Sequence, residues 1–230
     1  MDFTAGFVLH TRPYRDTSLI VELFTLEHGR VSVVAKGAAA GGKRNIGRKA
    51  ALQLFNTLAL RWSGKGELKS LTDVELLSRH LLIGQRLFAG MYLNELLERL
   101  LPKHDPNQAL YRQYAASIAL LTQDGALEPI LREFEWLLLN ELGYGLSFDI
   151  EAESHQCIAP DQDYIFIEDL GFVPARQEVP AKFHLNGQAL LDCSQQQWNE
   201  NSLRAAKIVN RFALRSLLGA RPLRSRALFS

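Results

Sequence analysis

Hydrophobic and polar residues alternate with a period of two along the first third of the chain. Three runs rich in Val, Leu, Phe and Thr follow one another, at residues 6–13, 17–25 and 28–37. This alternation is typical of half-buried β-strands. His28-Gly29 and the Ser-Gly-Lys-Gly sequence at residues 63–66 predict tight connections between strands.

Two more strands are predicted before residue 78. In residues 51–62 the apolar side chains share one parity: Leu52, Leu54, Leu58, Leu60 and Trp62. Residues 66–76 favour a fifth strand. Five short strands in about 75 residues indicate a small closed barrel, because closure removes exposed strand edges. We expect an OB-fold, although an SH3-like barrel gives a similar pattern.

After residue 79 the apolar residues recur with the period of a helix. Five helices are predicted, over residues 79–101, 107–122, 127–142, 186–193 and 202–218. Pro102 ends the first of these helices, and Pro129 suits the first turn of the third. Ser202 is the predicted N-cap of the last helix, and Gly219 is its predicted stop.

An acidic, turn-rich segment interrupts the helices at residues 150–183. It contains two β-like runs, DYIFI and GFVPA, which predict a small hairpin. The predicted fold class is therefore α+β. A five-stranded OB-fold barrel (residues 1–78) precedes an α-helical domain (residues 79–230), and residues 150–183 form an inserted acidic hairpin segment.

The formal net charge of +1 conceals a strong asymmetry. Residues 1–78 hold 11 Lys and Arg against 7 Asp and Glu, a net charge of +4. Residues 79–200 hold 8 against 18, a net charge of −10, and residues 201–230 hold 7 against none. Two basic ends around an acidic middle indicate a polyanionic partner, although +4 in a small domain also arises by chance.

Cysteine content and hydropathy restrict the class of protein further. Cys157 and Cys193 are too few for a disulfide framework or a clustered zinc site. We find no signal peptide and no apolar span of about 18 residues, so neither secretion nor membrane crossing is expected. A reduced, cytoplasmic setting is the expectation.

Residues 37–43 spell G-x-x-x-x-G-K, which resembles a nucleotide-binding P-loop. A P-loop opens a helix whose N-terminus holds the phosphates, and it needs Ser or Thr where this chain has Arg44. Gly47 is a poor start for a helix, and we expect a strand to follow. We therefore predict a slim cationic hairpin loop whose lysines and arginines follow a nucleic-acid backbone.

Aromatic residues lie among the cations of the predicted barrel. Tyr14 lies between Arg12 and Arg15, and Trp62 follows Arg61. Either ring could stack on a base or belong to the core, and the parity of Trp62 favours the core. The last predicted helix adds a cationic stripe. The candidate nucleic-acid-binding residues are Arg12, Arg15, Lys36, Lys43, Arg44, Arg48, Lys49, Arg61, Lys65, Arg204, Lys207, Arg211 and Arg215.

Catalytic motifs are weak. The six histidines are scattered, and Asp161 and Asp163 lie in an acidic loop in which solvation explains them. Ser154, His155 and Cys157 offer too few ligands for zinc. We expect no catalytic residues, no cofactor, no metal and no small-molecule substrate.

Four stretches of the sequence closely resemble the RecO family of bacterial recombination mediators. They are residues 7–38, beginning FVLHTRPYRDTSLIVELF; 92–101, YLNELLERLL; 131–148, LREFEWLLLNELGYGLSF; and 203–229, beginning LRAAKIVNRFALRSLLGARP. The ordered series is more specific than any single motif. The resemblance implies an N-terminal OB-fold, a helical domain and a small inserted segment.

The resemblance also implies a non-catalytic DNA repair protein. Such proteins bind single- and double-stranded DNA, anneal complementary strands and, with RecR, help load RecA onto DNA coated by the single-strand-binding protein SSB. It implies a cytoplasmic, nucleoid-associated location. Many members have a four-cysteine zinc motif in the insert; only Cys157 is present here, so the chain is similar to the zinc-free branch.

Family members bind the acidic C-terminal tail of SSB in a pocket of the helical domain, and Arg132 matches a basic position there. A guanidinium beside an apolar helix face can bind a terminal carboxylate while Phe134 or neighbouring leucines receive a ring. The alternative is an ion pair of Arg132 with Glu128 or Glu135. Two other functions stay open, an OB-fold RNA-binding protein and a scaffold that binds no nucleic acid.

Overall fold

A computed structural model describes residues 2–40, 43–176 and 178–229 of the chain. The chain divides into two compact units. The first comprises Met1–Gly125 with Leu223–Ser230, and the second comprises Ala126–Pro222. The barrel predicted over residues 1–78 thus shares its unit with the next two helices and with the end of the chain.

A closed five-stranded barrel opens the first unit, which confirms the predicted fold class. Its strands are β1 (Thr4–Tyr14), β2 (Ser18–Thr25), β3 (Gly29–Ala35), β4 (Thr57–Ser63) and β5 (Leu68–Ser78). The strand order is β1-β2-β3-β5-β4, and β4 pairs with β1 to close the barrel. Among the described strand pairs of the barrel, β3 and β5 run parallel and the others run antiparallel. This is a five-stranded Greek-key barrel of the OB type.

Helix α1 (Lys43–Ala51) corrects two sequence predictions. A helix, not a strand, follows residue 42, and the strand predicted over residues 51–62 begins only at Thr57. Leu52 is nevertheless buried in the barrel core, and Leu54 packs against that core. These two leucines cover the barrel interior from the end of α1, so their shared parity with β4 is coincidental.

Strand β1 pairs with β2 along one edge and with β4 along the other. Its register with β2 shifts between Val8 and His10, which marks a β-bulge at Leu9. The Nδ2 of Asn94 donates a hydrogen bond to the Leu9 carbonyl oxygen at 2.9 Å. The hydroxyl of Tyr114 donates to Asn94 Oδ1 at 2.5 Å. All three groups are buried, so this chain of hydrogen bonds satisfies polar atoms that would otherwise destabilise the core.

Helices α2 (Gly84–Leu100) and α3 (Gln108–Leu121) provide the Asn94 and Tyr114 side chains. Both helices confirm predicted ones. The ring of Phe7 in β1 meets the Tyr114 ring edge-on, with centroids 5.0 Å apart. Burial of these two rings therefore joins the outside of the barrel to α3. Asn107 caps α3 by accepting a hydrogen bond from the Leu110 amide.

A short 3-10 helix, Ser225–Phe229, returns the chain to the first unit. The Glu95 carboxylate on α2 accepts hydrogen bonds from the Arg224 amide and from the amide and hydroxyl of Ser225, at 2.7 to 2.9 Å. Burial alone would raise the pKa of Glu95. The hydrogen bonds from Ser225 and Arg224 and the charge of Arg99 outweigh it and lower that pKa.

In the part that the structure describes, the second unit contains three α-helices, a 3-10 helix (Ala181–Phe183) and a small sheet. The helices are α4 (Leu127–Glu141), α5 (Gly187–Ser194) and α6 (Glu200–Leu218); the strands are β6 (Asp163–Ile167), β7 (Gly171–Pro174) and β8 (Leu185–Asn186). β6 and β7 form the predicted hairpin, and β8 adds a third strand on the other edge of β6. Within the described ranges, no helix has both the length and the hydrophobicity to cross a membrane.

The N-terminus of α6 corrects a further prediction. Asn199 is the N-cap, and its side chain accepts hydrogen bonds from the Asn201 and Ser202 amides. Ser202 lies three residues further on, where its hydroxyl accepts a hydrogen bond from the Asn199 amide. Both residue types cap helices well, and here they form a reciprocal capping box.

Gly29→Ala is expected to destabilise the first unit by about 2 kcal/mol or more. Gly29 has φ +61°, and an added Cβ would lie 2.0 Å from the Asp105 carbonyl oxygen. Urea unfolding measures the loss. Gly66→Ala is the matched control, since no atom lies within 4 Å of its added Cβ. Equal stability of the two variants would contradict the prediction.

Glu95→Gln is expected to lower the free energy of unfolding by about 1–3 kcal/mol at pH 7, because an amide replaces a charged acceptor of three hydrogen bonds. The lowered pKa makes this contribution complete above the ordinary glutamate pKa, and it is lost as the pH falls through the folded-state value. Wild type and variant should therefore converge in acid. Glu98→Gln, on the same helix, is the control, and a pH-independent difference would refute the linkage.

Candidate nucleic-acid interface

Exposed cations lie at one end of the barrel. Tyr14 pairs with Ser18, and Leu19 pairs with Ala35, so β1, β2 and β3 reach that end together. Arg15 and Lys36 directly follow Tyr14 and Ala35, and both are exposed. Strands are about 4.8 Å apart, so these two predicted residues start roughly 10 Å from each other. The register thus brings together cations that are 21 positions apart in sequence.

Other predicted barrel cations lie in β1, on α1 or in the connection between β4 and β5. Arg12 is exposed near the end of β1, and Lys49 is exposed on α1. Lys65 is exposed in the turn between β4 and β5. OB-folds bind oligonucleotides through the β1–β2 and β4–β5 connections, and Arg15 and Lys65 lie on these two connections. The side chains of Lys43 and Arg44 lie outside the described residues.

Two predicted cations make intramolecular contacts. Arg48 Nη2 donates a hydrogen bond to the Leu71 carbonyl oxygen at 2.7 Å, which attaches α1 to β5. Arg61 donates from Nε and Nη2 to Asp73 Oδ2, and its guanidinium lies 5.0 Å from the centre of the Phe3 ring. Arg48 is therefore less available to a phosphate than the exposed lysines, whereas the Arg61 pair is exposed and a phosphate can compete with Asp73.

A groove of about 680 Å³ lies on the barrel surface. Its lining is polar and aromatic: His28, Val31, Arg61, Trp62, Ser63, Gly64, Lys69, Thr72, Asp73 and His104. The His28 ring meets Trp62 edge-on, with centroids 5.3 Å apart. Trp62 is only 5% exposed, which agrees with its predicted place in the core. Tyr14 is partly exposed, with the Arg15 guanidinium 5.1 Å from its ring centre.

The sequence pattern did not indicate Lys69, His28 and His104 as members of this groove. Long-range pairing brings them together, since the His104 amide donates to the Arg30 carbonyl oxygen at 3.0 Å. His104 therefore lies near the start of β3, although some 75 residues separate it from His28 in sequence. No local pattern marks such a neighbour.

The predicted cationic stripe lies on the exposed face of α6. Arg204, Lys207, Arg211 and Arg215 are all exposed, whereas Ala205, Ala206, Val209 and Leu214 are buried. We call the four exposed cations the α6 stripe. Helical geometry places such residues on one face, so this part of the prediction depends only on local spacing.

Two members of the α6 stripe make contacts with other residues of this chain. Arg204 Nη2 donates to the Lys182 carbonyl oxygen at 3.1 Å. Lys207 Nζ lies 2.8 Å from Glu128 Oε1. That hydrogen bond is the main reason why the pKa of Glu128 is lowered; partial burial opposes it, and the charges of Lys207 and Arg132 add to it. The Lys207 pair is exposed, so a phosphate can replace the carboxylate at little cost.

Arg132 and Phe134 lie inside the second unit. Arg132 is 7% exposed, and its Nη1 lies 2.9 Å from Glu135 Oε2. Asn210 Nδ2 donates to the same oxygen at 3.0 Å. Phe134 is fully buried. The contact with Glu135 is one of the two ion pairs that the sequence left open, and any tail carboxylate at Arg132 must compete with it.

Thiols and metal-ligating groups are the remaining candidates for chemistry. Cys157 is exposed, whereas Cys193 is buried and its Sγ lies 3.2 Å from the Ser202 carbonyl oxygen. Burial raises the pKa of Cys193 to about 12, so this thiol stays protonated at neutral pH. Over the ranges that the structure describes, no three His, Cys, Asp or Glu side chains could hold a metal ion together.

Comparison with known proteins identifies the family. The model described as "Recombination protein O N terminal" matches residues 1–80, and "Recombination protein O C terminal" matches residues 84–227. DNA repair protein RecO of Actinobacillus pleuropneumoniae serotype 7 is 42% identical, over 97% of this chain and 92% of the relative. RecO of Methylococcus capsulatus is 43% identical, over 97% and 91%. RecO of Pseudomonas paraeruginosa is 42% identical, over 98% and 93%. The chain therefore belongs to the RecO family of DNA repair proteins.

Proposed function

We propose that this protein is a non-catalytic recombination mediator. It binds single- and double-stranded DNA, anneals complementary strands and, with RecR, helps load RecA onto SSB-coated DNA. The observation that carries the proposal is the presence of two separate cationic surfaces, one on the barrel and one on α6. Membership of the RecO family is the support for RecR as a partner. A protein that repairs chromosomal DNA must reach that DNA, which implies a cytoplasmic, nucleoid-associated location.

The two surfaces suggest a physical route to annealing. Exposed lysines and arginines release counterions from a phosphate backbone when they bind it, and this contribution does not depend on base sequence. Two complementary strands repel each other through their phosphates. A protein that neutralises both strands at once lowers that repulsion and favours pairing. Lys43 and Arg44 belong to the proposed barrel surface because of their position in the sequence.

Replacement of Lys36, Lys49 and Lys65 together by Ala is expected to weaken DNA binding and slow annealing. Each lost contact with a single strand should reduce the slope of log K against log salt by about 0.7, and three contacts should reduce it by about 2. Fluorescence anisotropy over a salt series measures the slope, and mixing of labelled complementary strands measures annealing.

Arg112→Ala is the matched control for this triple variant. Arg112 is an exposed cation of α3 outside the proposed surface. If the triple variant and the control have the same affinity and slope as wild type, the barrel surface does not bind DNA. Competition by RNA of the same sequence tests the RNA-binding alternative, since preferential binding of RNA would replace DNA repair as the proposed activity.

We also propose that the acidic C-terminal tail of SSB binds at Arg132 and Phe134. The Nε of Arg132 is buried and has no hydrogen-bond partner among the described residues, so a donor is available for a carboxylate. An incoming carboxylate would displace Glu135 from the guanidinium. Phe134 would then form part of the apolar wall beside the bound residue.

Arg132→Ala should reduce affinity for a labelled SSB tail peptide at least tenfold, the loss expected when one charge-assisted contact is removed. Glu135→Gln should raise that affinity several-fold, because it removes the competing carboxylate while its amide oxygen can still accept from Asn210. DNA affinity should not change in either variant. Unfolding curves identify any loss of folded protein. Unchanged peptide affinity in both folded variants would remove Arg132 from the site.

A further inference from the structure

A small apolar pocket opens beside the α6 stripe. It has a volume of about 200 Å³ and lies wholly within the second unit. Its lining residues are Ile165, Phe166, Val179, Phe183, Ile208 and Phe212. None of the six carries a charge, and the proposed DNA and peptide contacts use none of them. The pocket therefore has no role in the proposed function, although it lies beside the proposed DNA-binding surface of α6.

Phe183 provides an accessible aromatic ring at this pocket. This residue is 38% exposed, whereas Phe172 and Phe134 in the same unit are buried. Its ring centroid lies 6.3 Å from that of Phe212, at an interplanar angle of 64°. Phe212 thus supports Phe183 from the α6 side, and more than a third of Phe183 remains exposed to solvent. Exposed aromatic rings are the groups on which single-stranded bases stack.

Cations surround the same pocket. Lys207 and Arg211 directly precede the lining residues Ile208 and Phe212. Lys182 Nζ lies 5.0 Å from the centre of the Phe183 ring. Arg204 holds the backbone of Lys182 through its carbonyl oxygen. A ligand in the pocket would therefore have positive charge on the α6 side and over the ring.

The length of the stripe distinguishes between two anionic ligands. Arg204 to Arg215 covers 11 helical steps, or about 16 Å at 1.5 Å per residue. An acidic peptide with one apolar anchor needs cations only beside the pocket. A nucleic-acid backbone places phosphates along the whole stripe while one base reaches the pocket. Arg215 lies beyond the pocket-lining residues, which favours the nucleic acid.

We propose that the pocket at Phe183 and Phe212 receives an unstacked base of a single-stranded nucleic acid whose backbone follows the α6 stripe. This inference rests on the proposed DNA binding and adds to it a preference for single strands over duplexes. Bases of a duplex are stacked and paired, so they cannot enter without an energetic cost of a few kcal/mol. The α6 surface thereby favours single strands, whereas cations alone do not distinguish them from duplexes.

Phe183→Ala tests the inference. Affinity for a single-stranded oligothymidylate should fall about tenfold, within the range for loss of one stacked base. Affinity for a duplex of equal length should stay within twofold of wild type. The salt slope should not change, because no charge is removed. Arg211→Ala should instead reduce the slope for both ligands.

Two further variants make the result specific. Tyr144→Ala removes another exposed aromatic of the second unit, which lies outside this pocket, and should leave binding unchanged. Phe183→Trp should keep wild-type affinity, and oligothymidylate should quench its added fluorescence. Thermal melting of each variant shows that the fold persists.

The possible outcomes separate this inference from the proposed function. If wild type binds both DNA forms but Phe183→Ala binds oligothymidylate normally, the base pocket is wrong and the proposed function stands. If wild type binds neither form of DNA, both fail. If Phe183→Ala loses only affinity for an acidic peptide that ends in phenylalanine, the pocket binds a protein tail and the inference is overturned.

Discussion

The first unit depends on the buried amide of Asn94. A bulge in β1 leaves the Leu9 carbonyl oxygen without its regular partner in the ladder, and the Asn94 side chain on α2 provides one. Tyr114 completes the arrangement from α3, and burial raises the pKa of its hydroxyl, so it remains a donor. The bulge separates the part of β1 that pairs with β4, residues 4–7, from residues 10–14, which pair with β2. The hydrogen bond from Asn94 therefore joins α2 to the barrel close to the point where the pairing of β1 with β4 ends.

Neighbours, more than residue type, decide what each cation does. Arg48 attaches a helix to a strand, and Arg61 is held by Asp73, whereas Lys36 is exposed. Exposed arginines such as Arg15 and a paired lysine such as Lys207 show that residue type alone does not decide the outcome. The net charge of a segment therefore overstates the charge available to a partner.

Much of the fold follows from local periodicity. Alternation predicted β1 to β3, and helical spacing predicted α2, α3, α4 and the exposed stripe of α6. The sequence misrepresented α1 because a short, basic run with a central glycine and few apolar residues is not typical of a helix, and because Leu52 and Leu54 continue the parity of β4.

The sites were less predictable than the elements. The barrel groove depends on strand register and on His104, which the sequence places far from His28. The contact between Arg132 and Glu135 was within reach of sequence analysis, since it joins residues three positions apart on a helix. The complete burial of Phe134 could not be predicted in this way, because burial depends on which residues pack over that face of the helix.

The return of residues 223–229 to the first unit affects the order in which the protein folds during its synthesis. During synthesis α2 and the barrel emerge first, but the hydrogen bonds to Glu95 form only after residues 126–222 have been translated. At about 5–20 residues per second this delay lasts roughly 5–20 s. Until then one side of α2 lacks its cover. Proteolysis just after Pro222 would have the same effect, so loss of the last few residues would damage the unit that contains the N-terminal barrel.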